Sequence, residues 1–196
     1  MGENVNSLES QAESYTDVNA RIVDAWVADG WEWGKPISHE RYLAALGGDW
    51  SMVLTPTREV PRDWFFEEMR GKRVLGLASG GGQQMPIFAA MGCECTVLDY
   101  SEAQIASEVM VAEREGYEIR AVRGLPFNPL RDPSLIPEKD LPEWGVQFSH
   151  TLDEQVRGQI QAGFRLLDLY EDTNGEGRLH ELGIPTFWAT CAEKPA

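Results

Sequence analysis

The sequence predicts an α/β fold, with a parallel sheet built from β-α-β-α-β units and a C-terminal antiparallel pair of strands. Three observations predict it. Short apolar runs at residues 73–78, 94–98 and 117–122 alternate with helical stretches at 83–91 and 101–115. That alternation gives parallel strands with right-handed crossovers. A glycine turn, Gly80-Gly81-Gly82, joins the first run to the helix after it. Beyond residue 150, a helix at 151–162 is followed by runs at 164–170 and 185–192 with no helix expected between them, the pattern of antiparallel neighbours.

The elements follow in order. Residues 14–29 place Val18, Ile22, Trp26 and Val27 near one face at helical spacing, and Gly30 ends that helix. Ser38 is an N-cap for a short helix over 39–45, which Gly47-Gly48 stops. Residues 52–61 are punctuated by Pro56 and Pro61 and read as a loop. The run R-V-L-G-L-A at 73–78 suits a strand buried on both faces. Ser101 with Gln104 three residues on is a capping-box pattern, and Gly116 falls where a left-handed C-terminal glycine belongs. Ser149 or Thr151 caps the helix at 151–162, and residues 171–177 form an acidic loop.

Composition bounds the function. The 196 residues suit a single compact domain, divided by texture into a tryptophan-rich helical cap, 1–70, and an α/β part, 71–196. Acids outnumber bases 32 to 17 and the formal charge is -15. With no Lys/Arg cluster, neither nucleic acid nor an anionic membrane is an expected partner. No apolar segment is long enough to span a bilayer, and the polar N-terminus lacks the pattern of a secretory signal. Three cysteines without ligand spacing argue against disulfides and zinc, so a cytoplasmic location is expected.

The chemistry concentrates at Ala78-Ser79-Gly80-Gly81-Gly82-Gln83-Gln84, a strand-to-helix turn. Glycines there let a ligand approach the backbone, and an acid at the end of the next strand, Asp99, can accept both hydroxyls of a ribose. The pair reads as a nucleoside-binding half-fold. A dinucleotide fingerprint wants a third glycine where Met85 stands, which disfavours a nicotinamide cofactor. Ser79 is not the nucleophile of a G-x-S-x-G elbow, because the sequence is G-L-A-S-G. The three histidines are far apart and form no H-E-x-x-H, and Glu171, Asp172 and Glu176 lack the calcium-loop pattern, so no metal site is expected.

The stretch G-K-R-V-L-G-L-A-S-G-G-G-Q-Q-M-P-I-F-A-A-M-G-C-E-C-T-V-L-D-Y-S resembles class I S-adenosylmethionine-dependent methyltransferases, close to a bacterial subgroup with Ala-Ser-Gly-Gly-Gly-Gln-Gln in its glycine motif. The resemblance continues through W-E-W-G-K-P-I-S-H-E, V-L-T-P-T, L-P-F-N-P-L, F-S-H-T-L-D-E-Q, L-Y-E-D-T-N-G-E-G-R-L-H-E and I-P-T-F-W-A-T. It implies a Rossmann-like sheet, S-adenosyl-L-methionine as cofactor with S-adenosyl-L-homocysteine as product, and a small-molecule methyl acceptor. It implies that Ala78, Ser79, Gly80, Gly81 and Gly82 line the methionine and ribose side. Gln83 and Gln84 would open the helix under the ligand carboxylate, Asp99 would hold the ribose and Tyr100 would lie beside the adenine.

The chain departs from the wider family in three respects. Gly76 stands where the superfamily has an acid on the first strand, and Leu125 where an acid usually meets the adenine. The family's fourth and fifth strands have no counterpart, and on the order of 60–75 residues are absent after the third strand. The expected strand order is therefore 3-2-1 followed by the C-terminal pair, or a homodimer that completes the sheet edge. The loss leaves two functional expectations: a shortened methyltransferase, or an inactive remnant serving as an oligomerising scaffold. Acceptor-side candidates are His150 as a base, with His39, Tyr42, Trp31, Trp33 and Trp50 from the cap.

Overall fold

The computed structural model describes residues 14–124 and 151–195. The expected Ser149 cap and the candidate base His150 lie outside these residues. Helix α1, Tyr15–Ala28, starts at Ser14, whose hydroxyl accepts the Asp17 N–H. Helix α2, His39–Leu46, starts at Ser38, whose hydroxyl accepts the Arg41 N–H. Both caps satisfy a donor that the first turn leaves free.

Three parallel strands follow: β1, Arg73–Leu77; β2, Glu94–Asp99; and β3, Ile119–Arg123. They are ordered β1-β2-β3, with Leu75 opposite Thr96 and Val97 opposite Ala121. Helix α3, Gln84–Ala90, links the first two, and α4, Glu102–Glu115, the second two. The Ser101 hydroxyl caps α4 through the Gln104 N–H, and Gly116 closes it at φ 75°. The α/β fold with a three-stranded parallel sheet is as expected.

A π-helical turn, Asp153–Arg157, runs into the short helix α5, Gly158–Gln161. Strands β4, Arg165–Asp172, and β5, Phe187–Glu193, then pair antiparallel. Between them the structure adds a short helix, α6, Gly177–Glu181, where the sequence predicts no helix.

Three expectations are corrected. The β4-β5 pair is a separate two-stranded sheet and does not continue the parallel sheet beside β1. It is fastened instead to the cap: Trp64 Nε1 donates to Asp168 Oδ2 at 2.7 Å, and the Trp64 and Tyr170 rings lie 5.3 Å apart. Second, β1 is not buried on both faces. Leu75 is 58% exposed and Leu77 52%, because among the described residues nothing packs over that face. Third, Asp172 does not belong to a solvated acidic loop. It ends β4 and is buried.

The main core lies on the opposite face of the sheet. There Met85, Ile87 and Phe88 of α3 meet Cys95 and Val97 of β2. The cap adds Tyr42, Ala45, Met52 and Val60 to the same cluster. Burying these side chains removes apolar surface from water, which is the main favourable contribution to folding. The cap thus shares its core with the sheet that carries the glycine turn.

Candidate functional site

The glycine turn leaves β1 through Ala78, whose φ of 49° is left-handed for a residue with a side chain. Gly81 at φ 95° and Gly82 at φ 72° complete the bend. Space is as restrictive as backbone angle. A side chain at Gly80 would stand 2.8 Å from Gln104 Cβ, and one at Gly82 would stand 2.7 Å from Val111 Cγ2. The turn therefore lies directly on α4.

Its backbone N–H groups are turned the same way. Gly80 N–H donates to Asp99 Oδ2 at 3.1 Å, Gly81 N–H to the Gln104 carbonyl at 2.9 Å, and Gly82 N–H to Glu108 Oε2 at 2.9 Å. The Ile37 N–H donates to the Gly82 carbonyl at 2.9 Å, so the cap touches the turn as well. At Gly76, the superfamily's acidic position, a Cβ would collide with Ser79 Oγ and press on Met85. No side chain fits there without displacing both. Met85 itself is almost wholly buried, and its thioether fills the helix–sheet gap that a dinucleotide glycine would narrow.

Asp99 stands at the end of β2 with little exposure. Its Oδ1 accepts the Ser101 N–H at 2.9 Å and its Oδ2 the Gly80 N–H. A carboxylate has about four lone-pair sites, so both oxygens keep acceptor capacity. Among the described residues, two buried side-chain oxygens lack a partner, Ser79 Oγ in the turn and Gln104 Oε1 on α4, which packs against Gly80 and Gly81. Buried polar atoms are rarely left so. The donor and acceptor set fits a polyhydroxylated ligand such as a ribose. The Tyr100 hydroxyl donates to Asp17 Oδ1 at 2.6 Å, and Arg123 lies over its ring at 4.9 Å.

Glu108 is wholly buried under the turn. Burial pushes its pKa up to about 7, against the opposing hydrogen bond from Gly82 and a long one, 3.4 Å, from the Tyr117 hydroxyl. Nothing in the sequence singled it out. A glutamate mid-helix reads as a surface residue until the helix is laid on the sheet.

A cleft of about 820 Å³ opens beside the start of α3. Its walls come from the segments quoted above for the resemblance. Trp33, Lys35 and Ile37 come from W-E-W-G-K-P-I, Val53 and Thr57 from V-L-T-P-T, and Asn174 with Glu176 from T-N-G-E. Phe187 of β5 and Gln83, Gln84 and Ile87 complete one side. Gln83 and Gln84 are thus shared between the glycine turn and the cleft. The Gln83 amide donates to the Glu32 and Lys35 carbonyls, at 2.8 and 2.9 Å, and that of Gln84 to the Val53 carbonyl. Helix α3 begins at Gln84, one residue after the expected start, and Gln83 precedes it without a side-chain cap.

The loop that carries Thr57 is held by Asp172. That carboxylate accepts the N–H groups of Thr57 at 2.8 Å, Arg58 at 3.1 Å and Thr173 at 2.8 Å, together with the Thr57 hydroxyl. Burial alone would raise its pKa. The hydrogen bonds from the Thr57 and Thr55 hydroxyls and from backbone N–H groups outweigh that and hold it far below the usual carboxylate range.

The remaining candidates sit apart from the cleft. Tyr42 is buried in the core and stacked on Tyr117 at 5.7 Å. His39 is on the surface, its Nδ1 2.7 Å from Glu115 Oε2. Trp50 packs edge-on against Phe65 at 5.5 Å, and Trp31 against Trp26 at 5.2 Å. Arg41, which sequence reading passed over, does line the cleft. Its position two residues after His39 on a short polar helix carried no signal. Among the described residues no group of three or more metal-type ligands converges, and no helix is long and apolar enough to cross a membrane.

No family model matches the chain. The chain is similar to a protein of Bacillus subtilis (strain 168) named uncharacterized methyltransferase YbaJ, at 29% identity over 231 residues, covering 80% of this chain and 90% of that relative.

Proposed function

We propose that the chain is a shortened S-adenosylmethionine-dependent methyltransferase of class I, acting on a small-molecule acceptor. The observation that carries the reading is the glycine turn and Asp99 brought into hydrogen-bond contact, with two buried oxygens beside them unpartnered. The similarity to a protein named a methyltransferase supports it. The shortening is supported by the same alignment: 231 positions use 80% of 196 residues, about 157, so about 74 positions face no residue of this chain.

Asp99 would hold the ribose hydroxyls. Ser79 and Gln104 would meet polar atoms of the ligand, and Gly80 to Gly82 would keep the backbone low enough for its approach. The bound cofactor supplies an electrophilic methyl on a sulfonium, transferred with cleavage of the sulfur–methyl bond to leave S-adenosyl-L-homocysteine. The chain's own contribution is orientation and exclusion of water between cap and sheet. Gln83 and Gln84 link the turn to the cleft, which supports an acceptor site there.

Calorimetric titration with S-adenosylhomocysteine tests the reading. Micromolar binding by the wild-type chain, weakened at least about tenfold in Asp99→Ala, is the expected outcome. Absence of binding by the folded wild-type chain overturns it.

The exposed Leu75 and Leu77 favour a second reading, a remnant without turnover that pairs β1 with a second copy. Sedimentation of wild type against Leu77→Lys tests that pairing: a dimer broken by the substitution supports it, and a monomeric wild type rejects it.

A further inference from the structure

We propose that the cleft binds a small carboxylate with an apolar body, and that Arg41 is its anchor. The inference rests on the methyltransferase reading only in calling that ligand the methyl acceptor. Arg41 is half-buried and lines the cleft. Its Nη2 donates to the Ser51 carbonyl at 3.0 Å and to the Ser51 hydroxyl. These bonds fix the guanidinium from one side and neutralise none of its charge. Among the described residues no carboxylate pairs with it.

The other charged groups of the cleft, Glu32, Lys35 and Glu176, are all exposed to water. The Glu32 and Lys35 carbonyls accept from the Gln83 amide. Arg41 is therefore the one charge of the lining set back from solvent. A partly desolvated guanidinium without a counter-ion has donors in a planar fork to spare, and a carboxylate matches that fork. Around it, Trp33, Ile37, Met52, Ile87 and Phe187 offer apolar and aromatic surface. A ligand satisfying both features has one anionic end and an apolar or aromatic remainder, the usual composition of a small-molecule site.

Phenylacetate and its neutral amide, phenylacetamide, are a matched pair of probes. Titrated into the wild-type chain and followed by tryptophan fluorescence, phenylacetate is expected to bind at least about tenfold more tightly than the amide. Arg41→Met removes that difference, and Arg41→Lys keeps part of it, because an ammonium supplies the charge without the fork. S-adenosylhomocysteine affinity is unchanged in both variants. Equal affinity for the two probes in the wild type overturns the proposal, and needs no variant to be folded. Loss of S-adenosylhomocysteine binding in Arg41→Met, with 5′-methylthioadenosine binding intact, would give Arg41 to the cofactor's own carboxylate and also overturn it. If S-adenosylhomocysteine fails to bind the wild type while the probe difference persists, the carboxylate site stands and the methyltransferase reading falls.

Discussion

Two loops border the cleft and its neighbouring turn, and each is tied down by one buried carboxylate. Under the glycine turn, Glu108 receives one backbone N–H at 2.9 Å and one long contact from Tyr117. Under the 55–58 loop, Asp172 receives three backbone N–H groups and a threonine hydroxyl. The two acids share burial and differ in donors. Glu108 is pushed up to about 7 by desolvation, whereas Asp172 is held far below the ordinary range by its hydrogen bonds. The number of donors facing the charge decides which effect wins. The 55–58 loop is anchored by a fully solvated-in-kind carboxylate, the glycine turn by a group close to changing its proton.

The largest effect tests the stronger anchor. Asp172→Ala leaves the N–H groups of Thr57, Arg58 and Thr173 without their acceptor, and is expected to cost about 3 kcal/mol in urea unfolding. Its contribution is present above the unfolded value of 3.8 and is lost as pH falls through the depressed folded value. The difference between wild type and Asp172→Ala should therefore narrow only in acid. A difference that is flat from pH 3 to 8 breaks the comparison.

Glu108→Gln probes the weaker anchor and carries the opposite sign. The folded protein holds a proton that the unfolded chain has released, between 4.5 and about 7. The wild-type contribution is full below 4.5 and is lost as pH rises through about 7. Glutamine keeps an acceptor for the Gly82 N–H and cannot ionise. The variant should match the wild type near pH 4.5 and exceed it by about 2–3 kcal/mol at pH 8. Unfolding midpoints compared at the two pH values measure this, and a variant less stable at both would show that Glu108 is a well-compensated charge.

The smallest effect lies a few residues away. Leu77 ends the strand that feeds the glycine turn, yet it is half exposed. Leu77→Lys should move monomer stability by no more than about 0.5 kcal/mol, while Val97→Ala, wholly buried on β2, should cost about 2 kcal/mol. Thermal unfolding of the two variants side by side tells whether anchors and core, rather than the bare face of β1, hold this half of the sheet.

Much of the fold was legible because its signals are local. Ser38 and Ser101 cap the helices that their side-chain chemistry predicts, and Gly116 closes α4 at the positive φ that only glycine adopts without strain. The β-α-β-α-β alternation required a parallel sheet because crossovers of that length leave no other pairing. The glycine turn and Asp99 were legible for the same reason, as strand ends placed by strand lengths.

What the tertiary structure decided depends on residues far apart in the chain. Asp172 reads as one of several loop acids until β4 carries it beneath Thr57, 115 residues earlier. Glu108 and Arg41 sit on polar helices, and only packing makes one a buried acid and the other the recessed charge of a cleft. The sequence also could not assign the β4-β5 pair to the cap rather than to the edge of β1. That choice is made by Trp64, Tyr170 and Asp168 across the interface. Hydrogen-bonding capacity and hydrophobic periodicity belong to short stretches of chain, so sequence alone determined the elements and the turn. Desolvation and long-range pairing exist only once the elements pack, so the structure alone decided which charges are buried and where the cleft opens.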